Sequence, residues 1–277
     1  MLTTNPFAEL AATVSPGIMQ TYVIVMILLV VGGTLYDVIH KQSAKYFAEL
    51  AEKSATAGDR RIEGSEKMGI AIQTAMIDVA TSAEFCNPDR RKAHLLTMYG
   101  FIIYLIMTIC LVFSADPSDT SAAGLVVALW YIGALMVCFG GYWFWFFIRV
   151  DVSAEGLSPF RLERSDLFVL SLLGCTTFGI LWALFQGSAL GVIFLLLYLI
   201  ATTVLFGSVP WSKFAHMFFK PAAAYQKRVA NASGWAMNLP TISRDEPEQQ
   251  ERHSMELLRD APMDMGLGIK REDPRHY

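Results

Sequence analysis

Histidines are the residues of this sequence best suited to binding a metal ion, and two of the five stand in comparable positions. His94 follows the basic segment Arg90-Arg91-Lys92 at the start of a long apolar run, and His216 follows the end of another. Two imidazoles at similar depth on different helices can bind one haem iron from opposite sides, each through a neutral ring nitrogen. Alternatively, both rings lie at a membrane surface beside Lys and Arg and bind nothing. Spacing alone leaves both interpretations open.

The other three histidines are weaker candidates. His40 ends the first apolar run and is a reserve ligand or a polar contact for a quinone. Asp37, one helical turn earlier, could relay protons, but an ordinary carboxylate at the membrane surface is the favoured interpretation. His253 and His276 lie in a polar C-terminal segment, where solvated side chains are expected.

Cysteine and glycine patterns add little chemistry. The four cysteines form no C-x-x-C pair, so the chain is not expected to hold its own iron–sulfur cluster or zinc ion. Those inside apolar runs are expected to pack as small hydrophobic residues. The pair Gly140-Gly141 would permit close approach of a macrocycle or, more commonly, of a neighbouring helix.

The helices formed by long apolar runs must position these histidines. The chain is 54% hydrophobic and 17% charged, whereas soluble domains carry about 25% charged residues. A membrane-spanning helix needs about 20 apolar residues. The sequence predicts an all-α membrane protein, a bundle of five such helices, at residues 17–39, 93–114, 123–148, 167–186 and 188–218. The last two form a hairpin that turns at Gly187-Ser188-Ala189, and the fifth extends beyond the membrane to carry His216.

The distribution of positive charge predicts the orientation. Of the 22 Lys and Arg residues, nine lie in the 40–92 loop, three between spans three and four, and ten from Lys213 onward, in the cytoplasmic extension of span five and the tail. Residues 1–16, the 115–122 loop and the hairpin turn have none. Because positive residues are retained on the cytoplasmic side, the N-terminus is predicted outside and the C-terminus in the cytoplasm. The expected location is the bacterial inner membrane.

Two predicted cytoplasmic segments are long enough to meet a partner. The 40–92 loop contains a polar helical stretch, Ser43 to Lys53, and an amphipathic stretch, Met68 to Phe85. The 219–277 tail becomes rich in charge and proline from Ile242 onward. This composition is typical of a segment that is disordered when alone. A docking segment and a merely solvated tail are both compatible with it.

Two segments resemble a family of membrane cytochromes. The run from Arg91 to Phe101 (RKAHLLTMYGF) is similar to the start of the second helix in membrane cytochrome b subunits of the nitrate reductase gamma type. The run from Lys213 to Arg228 (KFAHMFFKPAAAYQKR) resembles the end of their last helix. This group includes membrane subunits of heterodisulfide reductase and of the quinone-interacting oxidoreductase complex. The chain resembles most the membrane anchors of dissimilatory adenylylsulfate reductase.

The resemblance implies an electron-transfer subunit of an oxidoreductase complex. Its partners would be a cytoplasmic iron–sulfur flavoprotein, namely adenylylsulfate reductase, and a membrane quinone. His94 and His216 would be the axial ligands of haem b. Members with two haems have further histidines at the positions of Tyr104 and Tyr198, so the resemblance implies one haem b here, with the tyrosines paired or packed. Whether the subunit itself reacts with quinone is left open.

Two other functions were weighed. A haem-free membrane tether or assembly protein would account equally well for the large cytoplasmic segments. A small transporter is disfavoured, because spans three to five have no ionisable residue in their interiors, and such residues usually mark a substrate or ion pathway. No internal repeat is visible either.

Overall fold

Apolar runs, and prolines at the first positions of several helices, determine where the helices of this chain lie. The computed structural model describes residues 4–83, 85, 87–114, 124–151 and 156–235, with Ala215 described in its backbone only. In chain order the α-helices of this part are α1 (Pro6–Ala11), α2 (Pro16–His40), α3 (Ser43–Ala57), α4 (Gly64–Gln73), α5 (Pro88–Phe113), α6 (Gly124–Trp143), α7 (Leu167–Leu184), α8 (Ala189–Gly207) and α9 (His216–Ala232). Short π-helical segments occupy Thr74–Ala80 and Phe144–Ile148, and 3₁₀ turns occupy Arg164–Asp166 and Lys213–Ala215.

Five of these helices are long and apolar enough to cross a membrane, as predicted. They are α2, α5, α6 with its π-helical end, α7 with its preceding turn, and α8. Throughout the described ranges the regular structure is helical. The chain divides into two compact units: Met1–Tyr46 with Ala75–Ala222, and Phe47–Thr74 with Ala223–Tyr277.

In the first unit, glycine allows α5 and α6 to pack closely in antiparallel directions. A Cβ atom at Gly133 would lie 2.7 Å from the amide nitrogen of Tyr104, and one at Gly140 would lie 2.7 Å from the carbonyl oxygen of Ala93. The neighbouring Gly141 faces α7, since its Cβ would lie 2.6 Å from Leu173 Cδ2. Close helix packing therefore accounts for the Gly140-Gly141 pair.

The short helix α1 closes one end of the first unit. Asn5 caps it by accepting a hydrogen bond from the Phe7 amide at 3.0 Å, while its own amide group donates to the Leu111 carbonyl at 2.9 Å. Phe7 makes edge contacts with Trp130 and Trp182, at centroid distances of 6.2 and 5.2 Å. These contacts fix α1 against the ends of α5, α6 and α7 that lie furthest from His94.

A buried ion pair orders the connection between α6 and α7. Arg149 is fully buried, donates to Asp166 at 2.6 Å, and lies over the Trp145 ring at 4.1 Å. It also donates to the carbonyl oxygens of Ser158 and Arg161, each at 2.8 Å. A buried cation needs such partners, so this arginine is a structural element of the loop.

The second unit has its own small core. Ile62, Ile70 and Val229 form its buried apolar cluster. Ser54 and Ser233 share a hydrogen bond of 3.0 Å, and Arg60 donates to the Ala232 carbonyl at 2.9 Å. These bonds hold together segments that are distant in sequence.

The fifth span differs from the sequence-based expectation of one helix over 188–218. In the structure α8 ends at Gly207, residues 208–212 turn, and His216 begins α9. Pro210 explains the break, because proline lacks an amide hydrogen and keeps the preceding Val209 out of helical conformation. The 115–122 loop and the tail beyond residue 235, including His253, His276 and the segment from Ile242, lie outside the described residues.

Candidate cofactor site and the adjoining cavity

His94 lies in the second turn of α5, and its ring is held from one side. Asn87 caps α5 by accepting from the amides of Asp89 and Arg90, and Pro88 occupies the first turn, where its missing amide hydrogen costs nothing. The Nδ1 atom of His94 lies 3.1 Å from Ser82 Oγ, and the Phe85 ring lies 4.8 Å from the imidazole. The segment before α5 therefore orients the histidine.

Two further α5 side chains fasten this segment. Arg91 donates to the Thr81 carbonyl at 2.8 Å, and Tyr99 donates to the Ala80 carbonyl at 2.6 Å. Ser82 lies in this segment, between Thr81 and Phe85. It is buried and has a φ of 48°, a left-handed conformation uncommon for serine. Its hydroxyl also donates to the Val79 carbonyl at 3.4 Å, which leaves the oxygen able to accept from the ring.

His216 is positioned by the turn that interrupts the fifth span. Ser212 caps the 3₁₀ turn by accepting from the Phe214 amide at 3.2 Å. Phe214 is buried among aromatic rings, one of which, Phe168, also meets the His216 ring edge-on at 5.7 Å. The Nδ1–H of His216 donates to the Lys213 carbonyl oxygen. The turn thus brings this ring to the end of α8 at a fixed angle.

The environment of His216 favours its neutral form. Burial is the largest cause that lowers its pKa below the ordinary value of 6.5, and the positive charges of Lys220 and Lys213 act in the same direction. The hydrogen bond to the Lys213 carbonyl acts in the opposite direction but does not outweigh them. Neutral imidazole is the form that binds a metal ion.

Together the two histidines make a matched pair of ligand donors. The segments that carry them pack together, since the ring of Phe101, two turns after His94 on α5, lies 6.5 Å between centroids from the ring of Phe214, two residues before His216. Because Lys213 O can only accept and Ser82 Oγ is free to accept, each Nδ1 can carry the proton and leave the lone pair on Nε2. Neither Nε2 atom forms a hydrogen bond with another described residue. The donor set fits a haem, because neutral imidazoles bind haem iron.

His40 is not brought to this pair. It ends α2, is exposed, and stacks on the Tyr36 ring at a centroid distance of 5.4 Å. Among the described residues no three His, Cys, Asp or Glu side chains form a group that could hold a metal ion, so His40 does not complete a cluster with His94 and His216. It does not line the cavity described next either.

An apolar cavity of about 440 Å³ lies within the first unit and reaches the segment around His216, although neither His94 nor His216 lines it. Helices α1, α2, α5 and α8 form its walls, and Phe214, Met217 and Phe218 line it beside His216. Phe101 lines it two turns after His94, on the same face of α5. The cavity therefore extends from the histidine end of this unit, where α2 and α8 end and α5 begins, toward α1.

Tyr104 and Tyr198 lie in the wall of this cavity, and each packs on a tryptophan ring. Tyr198 stacks on Trp182 at 5.8 Å, and Tyr104 packs on Trp130 at 5.3 Å. Gly179 makes room for both, since a Cβ there would lie 2.7 Å from the Tyr104 hydroxyl and 3.4 Å from the Tyr198 ring. The Tyr104 side chain is buried, and its hydroxyl has no hydrogen-bond partner despite lying near that of Tyr198.

Asp37 is more deeply buried than the sequence suggested. It is 2% exposed, and one carboxylate oxygen receives a 2.6 Å bond from Lys41, the residue that caps α2. Its other oxygen, the Thr34 hydroxyl and the Ser208 hydroxyl are buried without hydrogen-bond partners. The carboxylate is nevertheless in the last turn of α2, paired with the exposed Lys41, as an interfacial carboxylate would be.

Sequence reasoning missed the residues that orient the histidines. Nothing in the sequence marks Ser82, because its role depends on a left-handed backbone conformation. Lys213 acts through its carbonyl oxygen, which no side-chain pattern reveals. The Thr34–Asp37 spacing of three residues, which places both on one helix face, was the available signal for the buried polar group.

Comparison with known proteins identifies no relative: the chain matches no protein-family model, no curated protein and no solved structure.

Proposed function

We propose that this chain is the membrane anchor and electron-transfer subunit of an oxidoreductase complex. It would carry electrons between a cytoplasmic iron–sulfur flavoprotein, adenylylsulfate reductase, and the membrane quinone pool, using one haem b. His94 and His216 would hold the haem iron. The N-terminus would lie outside the bacterial inner membrane and the C-terminus in the cytoplasm, with the histidine end of the first unit at the cytoplasmic surface.

One observation supports the proposal: His94 and His216 belong to segments that pack together, both Nδ1 atoms are engaged, and neither Nε2 atom has a hydrogen bond to another described residue. Ligands of metal ions are commonly fixed in this way by a hydrogen bond to the second ring nitrogen. Two surface histidines that merely face water need no such arrangement.

A bound haem supplies one-electron redox chemistry, and the residues of this chain determine its ligation and surroundings. Ser82 and the Lys213 carbonyl orient the two imidazoles. Phe85 and Phe168 pack on those rings and reduce access of water. The burial of His216 keeps it neutral and therefore able to bind iron.

The cavity of about 440 Å³ suits the quinone. It is lined mostly by apolar side chains, reaches the segment around His216, and has the unpartnered Tyr104 hydroxyl in its wall. An isoprenoid quinone combines an apolar tail with two carbonyl oxygens that accept hydrogen bonds. Most ligand cavities have this character, with few polar groups among many apolar ones.

The test is a reduced-minus-oxidised absorption spectrum of membranes containing the full chain. We expect a b-type band that is lost in both His94→Ala and His216→Ala. His40→Ala is the matched control, because it removes an exposed histidine that stacks only on Tyr36 among the described contacts. A band that survives either of the first two changes would refute this ligand assignment.

A haem-free membrane tether or assembly protein is the second candidate, because the packed core of the second unit would give a cytoplasmic partner a folded surface to bind. The absence of a b-type band from purified chain that still co-purifies with an iron–sulfur flavoprotein would support this alternative. Co-purification of adenylylsulfate reductase together with a b-type band would support the electron-transfer assignment.

A further inference from the structure

Three buried oxygen atoms without hydrogen-bond partners lie at the histidine end of the first unit. They are Thr34 Oγ1, Asp37 Oδ2 and Ser208 Oγ. An unpaired buried polar group destabilises the folded chain, so three in one region require an explanation.

Packing between α2 and the turn after α8 brings these atoms into one region. Thr34 and Asp37 are three residues apart and share a face of α2. Gly33, beside Thr34, abuts the turn: its Cβ position lies 2.9 Å from the Cβ of Val209, which follows Ser208. Only a glycine permits this approach, which places the Ser208 end of α8 beside the part of α2 that carries Thr34 and Asp37.

The carboxylate of Asp37 connects the exterior with this interior group. Its Oδ1 is bound by Lys41, whose side chain is 55% exposed, while its Oδ2 faces no partner. An ordinary ion pair at a helix end contributes little to stability and can form with an exposed carboxylate, whereas Asp37 is 2% exposed. Within a membrane-spanning helix, a buried acid usually marks a pathway for protons or ions.

The same group adjoins the apolar cavity. Val30 lines the cavity one helical turn before Thr34, and Phe206 lines it two residues before Ser208. Internal water typically makes about three hydrogen bonds to buried polar groups of this kind. Hydroxyls and water between Asp37 and the cavity would form a continuous hydrogen-bonded connection.

We propose that Asp37, with the hydroxyls of Thr34 and Ser208 and internal water, carries protons between the aqueous phase at Lys41 and a quinone in the cavity. This inference rests on the proposed function. Reduction of a quinone consumes two electrons, supplied by the flavoprotein, and two protons, which form the two O–H bonds of the quinol. Oxidation of a quinol releases the same two protons along the same path.

Ubiquinol-1 is the probe for the test, with the full chain loaded with haem in detergent. Each ubiquinol-1 gives one electron to each of two chains and two protons to the solvent, so the b-type band reports the rate by stopped flow. We expect Asp37→Asn to slow this reduction at least about tenfold, since positioned proton transfer commonly contributes this much or more. Haem content and the static spectrum should be unchanged.

Further variants separate a proton role from a structural one. Asp37→Glu should restore most of the rate, and Thr34→Val and Ser208→Ala should each slow it while conserving side-chain size. Glu9→Gln is the matched control, because Glu9 is an exposed carboxylate on α1, at the opposite end of the unit. Infrared difference spectra of the wild type should contain a carboxyl signal that disappears in Asp37→Asn.

The outcomes distinguish the two proposals. If ubiquinol-1 reduces the wild type but Asp37→Asn keeps more than half of the rate and the carboxyl signal, the proton path is wrong while the proposed function stands. If the wild type binds no haem, or ubiquinol-1 fails to reduce it, the proposed function is wrong and the proton path falls with it.

Discussion

The hydrogen bond from His94 to Ser82 should measurably strengthen haem binding. In Ser82→Ala the Nδ1 atom loses its partner at 3.1 Å, and the ring loses the contact that selects its orientation. The net value of such a bond is about 0.5–1.5 kcal/mol, or about a 2- to 12-fold change in dissociation constant. Loss of the partner of a metal-binding histidine typically costs 10–100-fold in affinity. We therefore expect the haem dissociation constant to rise about tenfold.

The assay is a spectrophotometric titration of haem-free chain with haem in detergent. Ser82→Gly is an informative second variant, because it also removes the hydroxyl but suits the φ of 48° better than any other residue. If the hydrogen bond matters, alanine and glycine should weaken binding alike. If backbone strain matters, glycine should bind as well as the wild type.

Thr81→Ala is the matched control for this experiment. Among the described residues its hydroxyl bonds to the Ile77 carbonyl of the preceding turn, at 2.6 Å, and not to His94, so haem affinity should not change. A dissociation constant for Ser82→Ala within twofold of the wild type would refute the view that Ser82 orients His94.

Three stability predictions follow from buried contacts, each measured by thermal unfolding in detergent. Replacing Arg149 with Met should destabilise the chain by about 3–5 kcal/mol, because Asp166 is left buried and unpaired; the double variant Arg149→Met, Asp166→Leu should recover most of the loss. Tyr104→Phe should stabilise the chain by about 1 kcal/mol, because it removes a buried hydroxyl without a partner. The same change should raise the KM for ubiquinol-1. Unchanged stability would mean that the hydroxyl is hydrated. Gly140→Ala should destabilise by about 1–3 kcal/mol, because the new methyl group would lie 2.7 Å from a carbonyl oxygen of α5, whereas Gly32→Ala, with nothing within 4 Å, should be neutral or stabilising.

The five membrane-spanning helices could be predicted because their signal is strong and local. Each requires about 20 apolar residues, and the runs that supply them are interrupted by few charges. The turn near Gly187 is marked by a residue type that suits its φ of 78°. The end of α8 was harder to predict, because the Pro210 signal competed with the need to place His216 on a single long helix.

The candidate site could be predicted only in part. His94 and His216 stand out by residue type and position, and the segments that carry them pack together through Phe101 and Phe214. Their partners do not stand out, because Ser82 and the Lys213 carbonyl act through local backbone geometry. The burial of Asp37 likewise depends on the contact between α2 and the turn after α8. These segments are far apart in sequence, so a single sequence does not predict that they meet.

The electron paramagnetic resonance spectrum of the oxidised, purified chain tests the central claim most directly. Axial ligation by His94 and His216 predicts a low-spin ferric signal in the wild type, and its conversion to a high-spin signal when either histidine is replaced by alanine. A low-spin signal that persists in both single variants, or purified chain that contains no haem, would contradict the account.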